Sequence, residues 1–350
     1  MQNLTLIIPG LLGPDARFHE DYVPSLASLE LLLSRSRHTV NVNTSPEYHR
    51  SLANILKQNF SVDNDVPVGA ITRHVDNDGD TSGIWMRADP VHLSPDRDGL
   101  VMMDSFILNL SQHDALAIAA EANKVLQDYG YMIEVPFEDR WYIQLENELS
   151  ITTTEISSVV GSDITAYLPR GEDSGKLHSV LNEVQMHLFN ADINQQREER
   201  GELPVNSIWF WGMGQLGEIT ETGLSAVFSN DIYASSLASL ASTSCYPVPS
   251  HFLGMMGHCG DASDVLSILM HCQAPRQYQN LDLWQKGLML LEGSWFSPAL
   301  DWLNQGKLKN LRIISDGHDF KINRFNLKKF WKKSHSIIHY KRLPLYAKDN

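Results

Sequence analysis

The stretch LTLIIPGLLG, residues 4–13, decides the fold class. It starts as a short apolar run, which Pro9, Gly10 and Gly13 then end in a turn. A short apolar run bounded by turn residues is typical of a strand buried on both faces, as in the parallel sheet of an α/β protein. The first strand therefore predicts an α/β fold.

Other segments fit the same class. Apolar runs in residues 264–273 and 310–316 are typical of further parallel strands, and residues 205–214 and the start of 224–242 also predict strands. Residues 61–82 are rich in Asp, Asn and Gly and predict a loop. Helical spacing of apolar residues predicts helices at residues 25–36, 45–60 and 174–191, and in the second half of 224–242.

A different pattern begins at residue 83. Two strands, 83–93 and 99–108, are predicted on either side of a polar turn, followed by an amphipathic helix that ends at Gly130. Residues 131–137 and 140–146 predict a hairpin. This ββαββ unit is small for a domain but large enough for an inserted one.

Composition limits the class of protein. The 350 residues are 43% hydrophobic and 20% charged, which suits a globular chain of one large or two smaller domains. No apolar stretch approaches the roughly 20 residues of a membrane-spanning helix, which argues against integral membrane association. The start lacks a basic region before its apolar run, so we expect no signal peptide and a cytoplasmic protein. Three cysteines at irregular spacing exclude a disulfide scaffold.

Charge is distributed unevenly along the chain. The net charge is −14, yet nine Lys or Arg against one acid from Lys321 onward give the end of the chain +8, so the first 320 residues carry −22. An acidic body argues against nucleic acid as a partner. The basic end, with Phe325, Phe330 and Trp331 among its lysines, allows two interpretations. We expect a closing helix that packs its aromatic rings on the body, and the alternative is an amphipathic helix that meets an anionic membrane or partner.

The densest polar cluster is RADPVHLSPDRDG, residues 87–99. Paired arginines there could hold a phosphorylated or carboxylated ligand, because guanidinium groups match those anions bidentately. From the residues alone we favour a surface hairpin turn whose charges pair with each other, because charged hairpin turns are common. Three other patterns are weaker signals for a metal or a dinucleotide: Glu183 with His187, the group from His258 to His271, and the glycines of residues 212–217.

Several of these motifs resemble one family. RADPVHLSPDRD (87–98), DRWYIQLE (139–146) and the segment from Leu181 to Gly214 resemble the RpfE-type regulatory proteins, which are similar to the archaeal-type cofactor-independent phosphoglycerate mutases. The resemblance spans nearly the whole chain and is most specific from Asn182 to Gly214. It implies an alkaline-phosphatase-like core of mostly parallel sheet flanked by helices, built from residues 1–75 and 172–343. A small α+β domain, residues 76–171, would be inserted, and residues 344–350 would form a tail.

The resemblance also implies site residues. In the mutases, two metal ions and a nucleophilic serine transfer a phosphoryl group while basic residues of the inserted domain hold the substrate. Ser45, which precedes a predicted helix, is the candidate nucleophile by position. The candidate substrate or anion contacts are Arg87, Asp89, His92, Arg97, Arg140 and Arg197.

The metal ligands of the mutases are only partly matched. Their first strand ends in Asp-Gly, whereas Pro9 precedes Gly10 in this chain and has no side-chain donor atom. Arg276 stands where a ligand would fall, and Asp316 is followed by glycine rather than histidine. His271, Asp316 and His318 could hold one divalent ion, manganese or zinc, or none.

We therefore expect a phosphoglycerate-mutase-like protein with a degenerate metal site and a regulatory or ligand-binding role. Its partner would be a small phosphorylated or carboxylated metabolite, or another protein. The alternative is an active, metal-dependent 2,3-bisphosphoglycerate-independent phosphoglycerate mutase or a related phosphotransferase. A third hypothesis is an interaction module that docks through its basic end.

Overall fold

The structure is a computed structural model that describes residues 3–14, 22–40, 52–60, 67–77, 79, 82–96, 99–217, 219, 222–259 and 262–343. Within these residues, no helix is both long and apolar enough to cross a bilayer. Ser45, Arg97 and the predicted tail 344–350 lie outside the described residues.

Twelve strands are described. They are β1 Asn3–Ile7, β2 Arg37–Val40, β3 Ile84–Asp96, β4 Gly99–Met103, β5 Ile133–Phe137, β6 Arg140–Leu145, β7 Ser207–Gln215, β8 Ala226–Phe228, β9 Cys245–Tyr246, β10 Asp264–Ile268, β11 Asn310–Ser315 and β12 His318–Asn323.

The described α-helices are α1 Ala27–Arg35, α2 Leu52–Phe60, α3 Val68–Asp76, α4 Ser105–Leu108, α5 Gln112–Leu126, α6 Ile156–Val159, α7 Ser174–Phe189, α8 Asp192–Glu199, α9 Ile232–Leu240, α10 Phe252–Cys259, α11 Gln273–Gln277, α12 Leu281–Leu291, α13 Ser297–Gln305, α14 Arg324–Leu327 and α15 Ile337–Lys341. Short 3₁₀ turns at Gln127–Tyr129, Ile164–Ala166 and Met270–Cys272 and a π-helical turn at Glu292–Phe296 complete the helical structure.

The chain divides into two compact units. Unit 1 comprises Met1–Phe60 and Thr220–Asn350, and unit 2 comprises Ser61–Ile219. These bounds differ from the predicted insertion, residues 76–171, because α7 and β7 pack within unit 2. Strand β7 pairs antiparallel with β3, and α7 contributes Leu177, Val180 and Val184 to the same hydrophobic core.

Unit 1 is built on a seven-stranded sheet in the order β2-β12-β11-β1-β10-β8-β9. The five strands from β11 to β9 are parallel, and β12 and β2 extend the sheet antiparallel. Strand β1 lies between β10 and β11, so the first strand of the chain is central, as the apolar run LTLII predicts. The structure thus confirms a mixed α/β fold with a mostly parallel sheet.

Helix α1 illustrates how unit 1 satisfies its helix ends. The side chain of Glu292 accepts hydrogen bonds from the backbone N–H groups of Ser28 and Leu29, at 2.6 and 3.0 Å. Free N–H groups at a helix start need acceptors, and a carboxylate there also interacts favourably with the helix dipole. Leu29, Leu32 and Leu33 of α1 are then buried in the core.

Unit 2 is an antiparallel sheet organised around the long strand β3. Its first half pairs with β6 and its second half with β4, while β7 pairs along most of its length. Strands β5 and β6 form the predicted hairpin, and α5 is the predicted amphipathic helix, with Ser111 capping Asp114 N–H. Helices α5 and α7 bury their apolar faces in one core with Trp141 and Phe210.

Three predictions at this level are wrong. The predicted loop 61–82 contains α3, whose residues from Val68 to Arg73 are buried. The predicted strand 99–108 ends at Met103, because Asp104 accepts a hydrogen bond from Phe106 N–H and begins α4.

The third wrong prediction concerns the basic end of the chain. Up to residue 343 it forms two short helices, α14 and α15, separated by a loop that carries Phe330 and Trp331, rather than one closing helix. The side chains of Phe325, Phe330 and Trp331 are 77%, 80% and 68% exposed.

Candidate functional site

The carboxyl ends of three neighbouring parallel strands meet in unit 1. Strand β1 is followed by Gly10, β10 by His271 and Arg276, and β11 by Asp316. We call these four residues the strand-end cluster. In open α/β sheets, ligands bind outside the carboxyl ends of the strands, so this is the edge at which the topology places a site.

Asp316 occupies a tight hairpin turn. Ser315 and His318 pair across β11 and β12, leaving Asp316 and Gly317 as the two loop residues with φ of 46° and 85°. Two positive φ values define a type I′ turn, for which Asp-Gly is a favoured sequence. The aspartate that the resemblance compares with a metal ligand is therefore also a turn residue.

Gly10 lies unusually close to a neighbouring backbone. Its φ is 77°, and a Cβ at this position would stand 2.4 Å from the carbonyl oxygen of Cys272. Its N–H donates to Asp316 Oδ1 at 3.1 Å, and its carbonyl accepts from Trp284 Nε1 at 3.0 Å. Glycine is thus required both by the left-handed backbone and by the contact with the loop after β10.

Arg276 and Asp316 form an ion pair at this edge. The distance from Nη1 to Oδ1 is 3.7 Å, and the side chains are 11% and 12% exposed. The second carboxylate oxygen of Asp316 accepts from the Ser315 hydroxyl at 2.8 Å. A cationic guanidinium therefore faces the carboxylate at the end of β11. Burial, together with the Asp316 charge, raises the pKa of the adjacent Cys272 thiol far above its usual range, so this cysteine stays protonated.

His271 is a partly buried member of the cluster. Its Nδ1 is shielded from solvent and has no hydrogen-bond partner among the described residues. Burial lowers the pKa of its imidazole, which favours the neutral ring. A neutral, partly buried histidine retains a lone pair that could accept a proton or bind an ion.

His318 is held by a different neighbour. Its Nδ1 lies 2.9 Å from Nε2 of His38 on β2, and the two rings stack with Phe320. The ring is buried, at 2% exposure. Its Nδ1 is therefore already paired with another imidazole.

The predicted metal ligands do not come together as a set. Among the described ranges, no three His, Cys, Asp or Glu side chains are grouped so that they could hold a metal ion. His271, Asp316 and His318 are not grouped there as a three-residue ligand set, and their role as metal ligands stays a prediction. The predicted nucleophile Ser45 lies outside the described residues, so its role stays a prediction.

A second polar network lies inside unit 2 around Arg87. The Arg87 guanidinium donates to Asp89 Oδ1, with Nε at 2.9 Å and Nη2 at 2.7 Å, and both side chains are buried. Asp89 also accepts from Trp211 Nε1 at 2.7 Å and from Trp141 N–H at 3.2 Å. Burial raises the pKa of Asp89, and these hydrogen bonds oppose that shift. Arg87 is thus engaged by a carboxylate of its own strand.

Arg140 is engaged in the same way, with a partner that the sequence did not reveal. It holds Asp76 of α3 bidentately, with Nε to Oδ2 at 2.8 Å and Nη2 to Oδ1 at 3.1 Å. The Tyr142 hydroxyl donates to the same Oδ2 at 2.6 Å, and burial raises the pKa of Tyr142. Asp76 stands at the end of an unpredicted helix, 64 residues before Arg140.

Arg197 belongs to a third network and shares no described partner with Arg87 or Arg140. It is fully buried and pairs with Asp114 at 2.8 Å, while donating to the carbonyls of Leu108 and Leu203. The carbonyl of Pro204 lies 2.9 Å from His92 Nδ1. Arg87, Arg140 and Arg197 are therefore each bonded to a carboxylate, and Arg97 is outside the described residues. Their predicted role as anion contacts stays a prediction.

The weaker sequence signals have local explanations. A Cβ at Gly212 would stand 2.8 Å from Val68 Cβ, and a Cβ at Gly214 would stand 2.7 Å from Pro67 Cβ. These glycines therefore permit β7 to pack closely on the start of α3. His187 lies 2.9 Å from Glu121, and Glu183 accepts from the Tyr129 hydroxyl at 2.5 Å. His187 is thus paired with Glu121 of α5 rather than with Glu183 four positions earlier.

Comparison with known proteins gives partial sequence similarity to one enzyme class. No family model matches the chain. It is 26% identical over 136 residues to a probable 2,3-bisphosphoglycerate-independent phosphoglycerate mutase of Geobacter sulfurreducens, covering 39% of this chain and 34% of that protein. It is 34% identical over 83 residues to the 2,3-bisphosphoglycerate-independent phosphoglycerate mutase of Methanosarcina mazei, covering 23% of this chain and 21% of that protein. The alignments thus span about a third or less of the curated relatives.

Solved structures align over most of the chain. The PH0037 protein from Pyrococcus horikoshii aligns with a TM-score of 0.51 and 11% identity over 92% of this chain and 87% of that one. The cofactor-independent phosphoglycerate mutase from Thermoplasma acidophilum aligns with a TM-score of 0.46 and 15% identity over 92% and 90%. The sequence relatives show that this chain is similar to cofactor-independent phosphoglycerate mutases.

Proposed function

We propose that this protein is a phosphoglycerate-mutase-like binding protein with a degenerate metal site. Its strand-end cluster would bind a small phosphorylated or carboxylated metabolite and serve a regulatory role. We also propose that the chain is of the RpfE type of regulatory protein and that unit 1 is an alkaline-phosphatase-like core. We also propose a cytoplasmic location.

The ion pair between Arg276 and Asp316 is the observation that carries the proposal. In the related mutases, as the resemblance implies, cations at this edge are metal ions held by acidic and histidine ligands. In this chain, a guanidinium lies 3.7 Å from the Asp316 carboxylate, and Pro9 offers no ligand atom. A fixed organic cation can bind an anionic ligand, but it does not supply the Lewis acidity by which a metal pair activates phosphoryl transfer.

The chemistry of Arg276 suits an anionic ligand. A guanidinium has five N–H donors in a planar fork, so its contact with Asp316 does not preclude a second contact to a phosphate or carboxylate oxygen. The negative charge of Asp316 works against an incoming anion. The Gly10 N–H and the Ser315 hydroxyl, which both donate to that carboxylate, reduce this repulsion.

Metal content and turnover provide the first test. The purified chain, with manganese or zinc added, is expected to retain fewer than two ions per chain after desalting and to show no interconversion of 2- and 3-phosphoglycerate. An authentic cofactor-independent mutase assayed in parallel is the positive control. Two tightly bound ions together with turnover contradict the proposal.

Ligand binding provides the second test. We expect calorimetry to detect 3-phosphoglycerate binding, and Arg276→Gln to weaken it by about tenfold or more, as loss of a charge-assisted hydrogen bond would. Arg312→Gln is the matched control, because Arg312 pairs with Asp319 at 2.9 Å in the same unit but on the β11–β12 strands. Equal affinity of the Arg276 variant and the native chain contradicts the assigned site.

One observation favours the alternative of an active metal-dependent mutase or related phosphotransferase. The Nδ1 of His271, which has no hydrogen-bond partner in the described part of the chain, is a nitrogen that could bind a metal ion or accept a proton as a general base. If the chain does turn over, this alternative predicts that His271→Ala and Ser45→Ala each abolish activity. Full activity of Ser45→Ala would exclude that serine as the nucleophile.

A further inference from the structure

The segment from Lys328 to Ser336, which we call the basic loop, presents aromatic rings to solvent within a positively charged stretch. Phe330 and Trp331 are 80% and 68% exposed, and their rings meet edge to face at 5.3 Å. Phe325, just before the loop, is also exposed, and Lys328 Nζ lies 5.9 Å from its ring centre. Large apolar side chains exposed together are uncommon on a monomeric surface and mark interaction sites.

The charge of this stretch is of one sign. Residues 321–343 contain eight Lys or Arg and no Asp or Glu. Lys328, Lys332 and Lys333 are exposed beside the rings. At physiological salt, charges more than about 8 Å away are largely screened, so a partner at the loop experiences these lysines rather than the acidic remainder of the chain.

The basic loop is anchored at both ends. Leu327 precedes it and Ile337 follows it, and both side chains are buried. The His335 N–H donates to the Ser34 hydroxyl at 2.8 Å, and Lys332 Nζ donates to the Ser36 carbonyl at 3.3 Å. The exposed rings therefore sit on a segment attached to the core of unit 1 rather than on a frayed end.

We propose that the basic loop docks on an anionic lipid surface. Trp331 and Phe330 would enter the interfacial region of the bilayer while the surrounding lysines contact anionic headgroups. Tryptophan and phenylalanine beside lysines are the combination that interfacial binding uses, with apolar burial and electrostatic attraction acting together. This would be peripheral attachment, and it is independent of the ligand proposed for the strand-end cluster.

The side chains favour lipid over nucleic acid. The loop carries four lysines and no arginine, and lysine is a point charge that does not require a fixed partner geometry. Such charges suit a fluid headgroup layer. Phe330 has no polar atom, so it gains most from an environment that removes its whole ring from water.

Trp331 provides a specific probe. All eight tryptophans lie within the described residues, and Trp331 is the one with most of its surface exposed. The experiment mixes the full chain with phosphatidylcholine vesicles containing about a third phosphatidylserine, and measures sedimentation and quenching of tryptophan emission by brominated acyl chains. We expect binding to these vesicles, quenching that disappears in Trp331→Phe, and little binding to pure phosphatidylcholine or at high salt.

Matched variants separate the electrostatic contribution of the lysines from the apolar contribution of the rings. Lys328→Gln with Lys333→Gln should weaken vesicle binding by about fivefold per lysine, whereas Lys307→Gln with Lys309→Gln removes equal charge from another exposed site of unit 1 and should leave binding unchanged. Phe330→Ser should weaken binding, and Phe189→Ser, which alters an equally exposed ring in unit 2, should not.

Four results would overturn the proposal. They are absence of binding to the anionic vesicles, equal binding to neutral vesicles, failure of the brominated lipids to quench Trp331, and tighter binding of single-stranded RNA or an acidic peptide through the same loop residues.

Discussion

Arg276 and Asp316 meet at the carboxyl edge of a parallel sheet, with Nη1 and Oδ1 3.7 Å apart, although 40 residues separate them in the chain. Asp316 also accepts the Gly10 N–H, so one carboxylate connects the segments that follow β1, β10 and β11. The strand-end cluster is thus held together by a residue that the turn between β11 and β12 fixes in position.

Replacing Asp316 with alanine should destabilise the protein. The substitution leaves the Gly10 N–H without its acceptor and Arg276 without its carboxylate, and lost partners of this kind cost about 1–3 kcal/mol. Asp316→Asn is the matched control, because asparagine tolerates the left-handed turn and retains an acceptor oxygen. In urea unfolding, the free energy of unfolding should fall clearly less for Asp316→Asn than for Asp316→Ala. Equal losses would contradict this reasoning, because they would mean that neither the acceptor oxygen nor the turn preference of asparagine contributes to stability.

Gly10→Ala should be more damaging than its size suggests. Its Cβ would stand 2.4 Å from the Cys272 carbonyl oxygen, and its φ of 77° disfavours any side chain. Strain of this kind costs about 1–3 kcal/mol, and displacement of the loop after β10 would add to it. Gly217→Ala is the control, since a Cβ there would meet no described residue within 4 Å. In thermal unfolding, the midpoint temperature of Gly217→Ala should be close to that of the native chain, and the midpoint of Gly10→Ala should be well below it.

The sequence was sufficient to predict the central features of unit 1. The apolar run closed by Pro9 and Gly10 predicts the buried central strand, because a strand covered on both faces cannot alternate with polar residues. The helical spacing of the leucines in α1, and in unit 2 the hairpin of β5 and β6, were predictable from equally local patterns. These features depend on residues that are near one another in the chain.

Long-range pairing could not be predicted in this way. The apolar strand β7 looks the same whether it joins a parallel core sheet or pairs antiparallel with β3, and only the tertiary partner decides. Helix α3 was missed because the polar residues on both sides of it conceal a short apolar face. Asp76 at its end therefore gives no local signal as the partner of Arg140 and Tyr142. The Asp316-Gly317 turn does have a local signal, because Asp-Gly is a favoured sequence for a two-residue hairpin loop.

Asp76 should prove to be the critical member of its network. Asp76→Ala leaves the Arg140 guanidinium and the Tyr142 hydroxyl without their shared acceptor, and breaking a largely buried pair costs about 3 kcal/mol or more. Tyr142→Phe removes the hydroxyl that donates to Asp76 but leaves the Asp76–Arg140 pair in place, and should cost about 1 kcal/mol. Glu134→Ala is the control: its partner Arg73 is also buried, at 5% exposure, but Glu134 is 48% exposed and the Arg73 guanidinium keeps its place over the Trp85 ring, so the loss should cost at most about 1 kcal/mol. If chemical denaturation gives equal losses of unfolding free energy for Glu134→Ala and Asp76→Ala, then the burial of the carboxylate does not determine the cost of losing it.

Asp114 should make the stability of the protein depend on pH in the acid range. Burial raises its pKa, but hydrogen bonds from Arg197 and His113 and the charges of Arg197 and Arg200 outweigh this, so the folded-state pKa is lowered. Arg200 Nη2 donates to Asp114 Oδ2 at 2.6 Å. A lowered carboxylate pKa means that the unfolded chain binds more protons than the folded one between the two pKa values. The contribution of Asp114 is therefore complete above its ordinary range near pH 4 and is lost as the pH falls through the folded value.

Asp114→Asn tests this sign directly. The difference in unfolding free energy between native chain and variant should be largest near pH 7 and should shrink between about pH 4 and pH 2, because protonation then removes the same charge from the native chain. Asp192→Asn, at an exposed position on α8, is the control and should leave the pH profile of the native chain unchanged. A difference that stays constant down to pH 2 would show that the amide perturbs packing around Arg197 and not the charge interaction. A difference that grows on acidification would mean that the folded-state pKa is raised, in which case burial outweighs the two arginines.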